Sequence, residues 1–214
     1  MYRDFYKYAG RFFKIISETE VTGGEGPLDL SMGVERTIDL ILSRTVLGNK
    51  LIFIGNGGSA AIAGHMAIDF WKNGGMRAVA FNDGALLTCI GNDFGYPEVF
   101  AKPVEVFAEP GDVLVAISSS GQSENILRGV EAGRAAGCKV ITLSGFSRTN
   151  PLRKLGDFNF YVPVSHYGFV EVAHQMILHA MLDIIMERRQ AGETMFIELT
   201  TTVPTLSLDP TLNS

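Results

Sequence analysis

Two glycine- and serine-rich segments carry the clearest chemical signal in this 214-residue chain. They are GNGGSA at 55–60 and SSSGQS at 118–123. Each directly follows a short apolar run, LIFI and DVLVAI, and each leads into a helix-compatible stretch. A helix N-terminus presents free N–H groups and the positive end of a dipole, which together favour an anion. Ser118, Ser119, Ser120 and Ser123 add hydroxyl donors, and Gly121 lets the backbone approach a ligand closely. This donor set suits a phosphate monoester. Ordinary turns with capping serines could also look like this, but two such loops, each between a strand and a helix, favour the anion. A nucleoside triphosphate loop, GxxxxGK[ST], is absent, and no GxGxxG follows a strand.

The elements that must position these loops follow from the apolar pattern. LIFIG (51–55), MRAVAF (76–81), DVLVAIS (112–118), KVITLSG (139–145) and FNFYVPV (158–164) are short runs, apolar on both faces, as strands of a parallel sheet are. Helix-compatible stretches at 59–73, 96–106 and 123–136 separate them. Alternation of strand and helix predicts an α/β fold, a doubly wound parallel five-stranded sheet flanked by helices. Ligands bind such sheets at the carboxyl ends of the strands, where both loops lie.

Two helices come first. Phe5, Tyr8, Phe12, Phe13 and Ile16 mark one amphipathic helix, GGEGP at 23–27 breaks the chain, and 30–48 forms another. The last helix, at about 170–189, is strongly apolar and is expected to be buried on more than one side, against another subunit. The organisation predicted is one domain over 1–192, including the N-terminal helical segment 1–48, then an extended or disordered tail over 193–214.

Composition narrows the class. Hydrophobic residues at 46% with charged residues at 19% fit a packed globular chain rather than a disordered one. A net charge of −5 argues against a dedicated nucleic-acid binder. Cys89 and Cys138 each sit in an apolar stretch, form no CxxC pair and read as buried free thiols. The N-terminus shows no secretory signal and no run of about 18 uncharged apolar residues is visible, so a cytoplasmic protein with no membrane span is expected.

With GNGGS after the first strand, IGNDFG at 90–95 and the serine loop, the chain resembles the SIS (sugar isomerase) family, and within it the phosphoheptose isomerase group. TCIGNDFGYPEVF, GDVLVAISSSGQSENI and KVITLSG are similar to that group nearly without gaps, and the resemblance spans about 51–187. It implies an aldose–ketose isomerase converting sedoheptulose 7-phosphate, or a related phosphosugar, to a heptose 7-phosphate. It further implies a homotetramer with active sites at subunit contacts and one zinc ion per site. By position, Asn56, Gly57, Gly58 and Ser59 match the first substrate loop, Asn92 and Asp93 match sugar contacts, and Ser118, Ser119, Ser120 and Ser123 match the phosphate site. His65 matches a metal ligand, and His179 matches a ligand that is also the catalytic acid. Two positions depart from the group. Asp69 stands where the family has a glutamate, ligand and presumed base, and Glu171 stands where it has a glutamine ligand. FWKNGG after Asp69 also differs from the family's usual sequence.

Such an isomerase moves a proton between adjacent carbons through an enediol, and so needs a base, an acid and stabilisation of the enediolate oxygen. Asp69 or Glu171 is the candidate base and His179 the acid, with zinc held by His65, Asp69, Glu171 and His179. His65 and Asp69, four apart on one helix, share a face. Glu171 and His179, eight apart, are separated by about 12 Å of helix rise, so different subunits are expected to bring them to one site. His174 on the same helix reads as a core histidine. The alternative reading is a non-catalytic SIS module that binds phosphosugar or protein, such as a regulator of replication initiation. A sugar-phosphate-sensing transcription regulator is disfavoured because the first 50 residues show no helix-turn-helix and no basic surface.

Overall fold

The computed structural model describes residues 2–24 and 26–191. The chain begins with helix α1 (Tyr2–Ser17), the strands β1 (Glu20–Gly23) and β2 (Gly26–Leu28), and helix α2 (Leu30–Thr45). Then come β3 (Leu51–Gly55), α3 (Gly58–Lys72), β4 (Ala78–Ala80), α4 (Gly84–Asp93), a 3-10 turn (Tyr96–Glu98) and α5 (Ala101–Phe107). The remainder is β5 (Val113–Ser118), α6 (Glu124–Ala135), β6 (Lys139–Ser144), a 3-10 turn (Pro151–Lys154), β7 (Phe158–Tyr161) and α7 (Tyr167–Gln190). The tail expected from 193 lies outside the described residues.

The strands form one seven-stranded sheet in the order β2-β1-β7-β6-β5-β3-β4. The five strands expected from the sequence are parallel to one another. The two additional strands form an antiparallel hairpin, and β1 pairs antiparallel with β7. The segment read only as a breaker is therefore flanked by strands, which close the sheet on the β7 side.

Residue parity assigns each strand side chain to a face. Leu51, Phe53, Val113, Val115, Ile117, Ile141 and Leu143 point to one side, where Ile38, Ile41, Met66, Phe70, Ile177, Leu178 and Met181 of α2, α3 and α7 bury them. Ile52, Ile54, Leu114, Ala116 and Val140 point to the other, against Val104, Ile126 and Val130 of α5 and α6. Every residue of β3 and β5 is buried, which explains their unbroken apolar runs. α7 is long and apolar enough by length and composition to cross a membrane, yet half of that stretch is buried inside the fold. Its Phe169, Ala173, Ile177, Met181 and Ile185 belong to the first core.

Two helices differ from expectation for local reasons. A single helix over 96–106 would oppose the Pro103 ring to the Val99 carbonyl, so the chain turns and restarts at Ala101. There Pro103 falls in the first turn, where its missing N–H costs nothing. α4 was not expected. Asp83 caps it, accepting hydrogen bonds from the backbone N–H of Ala85 (2.9 Å) and Leu86 (3.1 Å). Cys89 is exposed on α4 rather than buried. Cys138 is buried as expected, and burial pushes its thiol up to about 11.

Candidate active site

The strand order makes the two Gly/Ser loops neighbours. From β3 the chain moves outward to β4, then returns to the opposite side of β3 for β5 and continues to β6 and β7. β3 and β5 therefore straddle the point where the winding reverses, and the loops leaving their carboxyl ends open side by side. Their ladder runs as far as the Gly55–Ile117 pair. Beyond it lies a cavity of about 240 Å³ lined by Asn56, Gly57, Gly58, Ser59, Ile117, Ser118, Ser119, Ser120, Ser123, Tyr167 and Glu171.

This lining offers many donors. The serine loop is folded on itself: the Gly121 N–H donates to the Ser118 carbonyl at 3.0 Å, and the Gln122 N–H to Ser120 Oγ at 3.2 Å. Gly121 holds a φ of +63°, and a Cβ there would collide with the Asn150 side chain. The Ser119 hydroxyl is buried with no hydrogen-bond partner among the described residues. An orphaned hydroxyl normally costs about 1–3 kcal/mol, so a ligand oxygen here would relieve an existing deficit. Ser123 is the N-cap of α6 and Gly57 that of α3, and neither makes a side-chain cap bond, so both helix ends face the cavity uncapped.

Glu171 enters from α7. A Cβ placed on Gly58 would lie 2.6 Å from both of its carboxylate oxygens, so the carboxylate sits directly against the first turn of α3, and only glycine leaves it room. Tyr167, one turn earlier on α7, also lines the cavity, whereas His166 occupies the N-cap of α7 with no side-chain cap bond.

A second cluster lies farther along the same two helices. His65 Nε2 is 3.2 Å from His179 Nε2 and 3.1 Å from Asp69 Oδ2, and His179 Nδ1 is 3.9 Å from the same Asp69 oxygen. The three offer one ligand atom each within 4.8 Å of one another. Zinc bonds of about 2.0–2.1 Å in a tetrahedron place ligand atoms about 3.3 Å apart, so the His65–His179 and His65–Asp69 separations match. Two imidazoles and a carboxylate are also a donor set zinc accepts.

Glu171 is not part of this cluster. The reason is helical: Gly58 to His65 on α3 and Glu171 to His179 on α7 are steps of about 10 and 12 Å. Within one chain, then, the structure brings together three of the four expected ligands and sends the fourth to the phosphate-type cavity. Asn92 and Asp93 end α4, bonded to each other (Asn92 Nδ2 donating to Asp93 Oδ1 at 2.8 Å), and do not line the cavity. His174 is fully buried, its Nε2 3.1 Å from the Ser144 carbonyl; burial lowers its pKa to about 4, with the Ser144 contact opposing the shift.

Two features escaped sequence reasoning. Tyr96 donates to Asn56 Oδ1 at 3.0 Å, and Asn125 pairs with Asn56 through two 2.9 Å bonds. Both lie inside the segments TCIGNDFGYPEVF and GDVLVAISSSGQSENI, but only the sheet order brings them to the first loop.

Comparison with known proteins agrees with this layout. The SIS domain family model matches residues 28–145. The phosphoheptose isomerase of Syntrophotalea carbinolica is 32% identical over 158 residues, covering 71% of this chain and 80% of that protein. That of Solidesulfovibrio magneticus is 38% identical over 156 residues, covering 70% and 74%. The solved phosphoheptose isomerase from Neisseria gonorrhoeae superposes with a TM-score of 0.75 at 30% identity, over 86% of this chain and 96% of that one. With the switch-point loops, the donor-rich cavity and these relatives in agreement, the chain belongs to the SIS domain family, in its phosphoheptose isomerase group.

Proposed function

We propose that this protein is an isomerase that converts sedoheptulose 7-phosphate to an aldose heptose 7-phosphate. One observation carries the reading: a carboxylate, Glu171, stands in the same cavity as the serine loop and two uncapped helix ends. That arrangement pairs a phosphate grip with a proton-transfer group, as the reaction requires.

The phosphate is held by Ser118, Ser119, Ser120 and Ser123 and by the N-terminus of α6, with Asn56, Gly57, Gly58 and Ser59 completing the wall. Glu171 takes a proton from C1 of the open-chain ketose while O2 gains a proton, giving the enediol. The same carboxyl, free to exchange with solvent, delivers a proton to C2 and the O1 hydroxyl loses one, leaving the aldehyde at C1. His179 is the group assigned to the oxygen protons, and Asp69 is the alternative base. Because His179 lies about two and Asp69 about three helix turns from the cavity in their own chain, the reading requires a neighbouring subunit to supply them. Exposed aromatics on α1, including Phe5, Tyr6 and Phe13, and exposed Val172 and Met176 on α7 are apolar surfaces such an assembly would cover. The homotetramer of the family fits this, as does the donation of Asn92 and Asp93 across a contact. His65, Asp69 and His179, with Glu171 from another copy, would hold a zinc ion, which when bound supplies Lewis-acid stabilisation of an oxyanion. The substrate is a small phosphosugar; a net charge of −5 accords with a cytoplasmic enzyme that has no nucleic-acid or membrane partner.

The test is incubation of purified protein with sedoheptulose 7-phosphate and a panel of other phosphosugars, with the aldose product detected directly. Aldose from the seven-carbon substrate supports the reading. Phosphosugar binding without any aldose would support the non-catalytic module instead.

A further inference from the structure

We infer that Asn125 and Tyr96 are positioning residues for phosphosugar binding, acting through Asn56 to hold the two ligand loops at a fixed spacing. The inference rests on the cavity being the phosphosugar site.

The loops need a joint. α3 packs on one face of the sheet and α6 on the other, so the chain diverges immediately after the β3–β5 ladder ends at Gly55 and Ile117. A phosphosugar gripped by both helix ends has to find them at one separation. Past the ladder, the hydrogen bonds that join the two loops among the described residues are those of one amide pair. Asn56 Nδ2 donates to Asn125 Oδ1 at 2.9 Å, and Asn125 Nδ2 donates back to Asn56 Oδ1 at 2.9 Å. Asn125 lies in the first turn of α6 and is only 3% exposed, so it does not present itself to a ligand.

The pair also changes the role of Asn56. Its carbonyl oxygen accepts a second hydrogen bond, from the Tyr96 hydroxyl at 3.0 Å, which fills both lone pairs. One of its two N–H donors is spent on Asn125, and one remains for substrate. Asn56 is therefore mainly the central member of a three-residue clamp. Tyr96 ties in a third segment, the turn that follows Asn92 and Asp93. The reciprocal geometry suits a joint because each bond aligns the other, and loss of either amide removes both bonds between the loops at once.

The test uses full-length protein carrying Asn125→Ala, the near-isosteric Asn125→Asp, Tyr96→Phe, Asn56→Ala and the Asn56→Ala/Asn125→Ala pair. Dissociation constants for inorganic phosphate and sedoheptulose 7-phosphate are measured by calorimetry, alongside KM, kcat and melting temperature. Both Asn125 variants are expected to weaken phosphate binding and raise KM by about tenfold, with kcat changed by less than about threefold. Tyr96→Phe is expected to give a smaller shift in the same direction. The double variant is expected to bind no more weakly than the worse of its two single variants, because both break one joint. Unchanged phosphate affinity in a folded Asn125→Asp protein, or losses that simply add in the double variant, would overturn the inference. If the unmodified protein binds phosphosugar but makes no aldose, the isomerase reading fails while the phosphate titrations still decide the clamp.

Discussion

The two clusters on α3 and α7 differ in how much of each a single chain completes. At the carboxyl edge of the sheet, Gly58 and Glu171 meet inside a cavity whose wall comes from three segments of one chain. About two to three turns farther along, His65, Asp69 and His179 converge on the same helices, with the His65 side chain 54% exposed. The first site is fixed by the sheet, because the strand order brings both loops to the winding reversal. The second is fixed only by helix spacing and lacks a fourth protein donor within the described chain. The donor-rich cavity is thus completed within one chain, whereas the metal-type cluster gathers three donors and, under the proposed function, takes its fourth from a partner.

Substitutions can break that comparison, and Glu171→Gln should have the largest effect. It keeps the shape of the side chain but removes the base, so kcat should fall by about 10²- to 10⁴-fold while phosphate affinity stays near its original value. Steady-state kinetics with a parallel phosphate titration checks this. Equal losses in kcat and in phosphate affinity would assign Glu171 to binding.

Next in size is a pH effect at the core between the sites. The folded pKa of His174 is about 4, below the ordinary 6.5, so the unfolded chain takes up the proton first as pH falls. Stability from this group is fully present above about 6.5 and declines towards pH 4, by about 3 kcal/mol in total. Denaturant unfolding across that range should show the decline, and in a folded His174→Gln variant this contribution should be absent.

A smaller effect is expected at the second cluster. Asp69→Asn should weaken zinc binding by about tenfold to a hundredfold without altering inorganic phosphate affinity in the metal-free protein. Metal titration of the two proteins measures it; a parallel loss of phosphate binding would instead assign Asp69 to the phosphate grip. Ser119→Ala is the mildest. Removing the buried, unpartnered hydroxyl should raise KM by about tenfold, and melting should be unchanged or slightly higher because an unsatisfied group disappears.

The same contrast explains what was legible in the sequence. LIFIG and DVLVAIS announced buried parallel strands because every residue in β3 and β5 faces a core, and their terminal Gly and Ser announced the loops. The β1–β2 hairpin did not show: its strands have four and three residues, too short for an alternating pattern. α4 did not show because it is only ten residues long with glycine near both ends, and the apolar neighbours that make Cys89 read as a core residue leave it on the helix surface. At the site, motif positions found the serine loop and the His65–Asp69 face, since both depend on near neighbours in the chain. The Asn56–Asn125–Tyr96 clamp and the seat of Glu171 on Gly58 depend on sheet order and helix packing, which leave no local periodicity to read.

The central claim is that Glu171, seated in the phosphate cavity, moves the sugar proton. Its most direct test is deuterium exchange at C1 of sedoheptulose 7-phosphate in D₂O, followed by proton NMR for the unmodified protein and for Glu171→Gln under saturating substrate. The account predicts loss of one of the two C1 proton signals with the unmodified protein, because the Glu171 carboxyl exchanges its proton with D₂O between the two transfers, and retention of both signals with Glu171→Gln despite intact phosphate binding. Exchange by Glu171→Gln at the unmodified rate would contradict it.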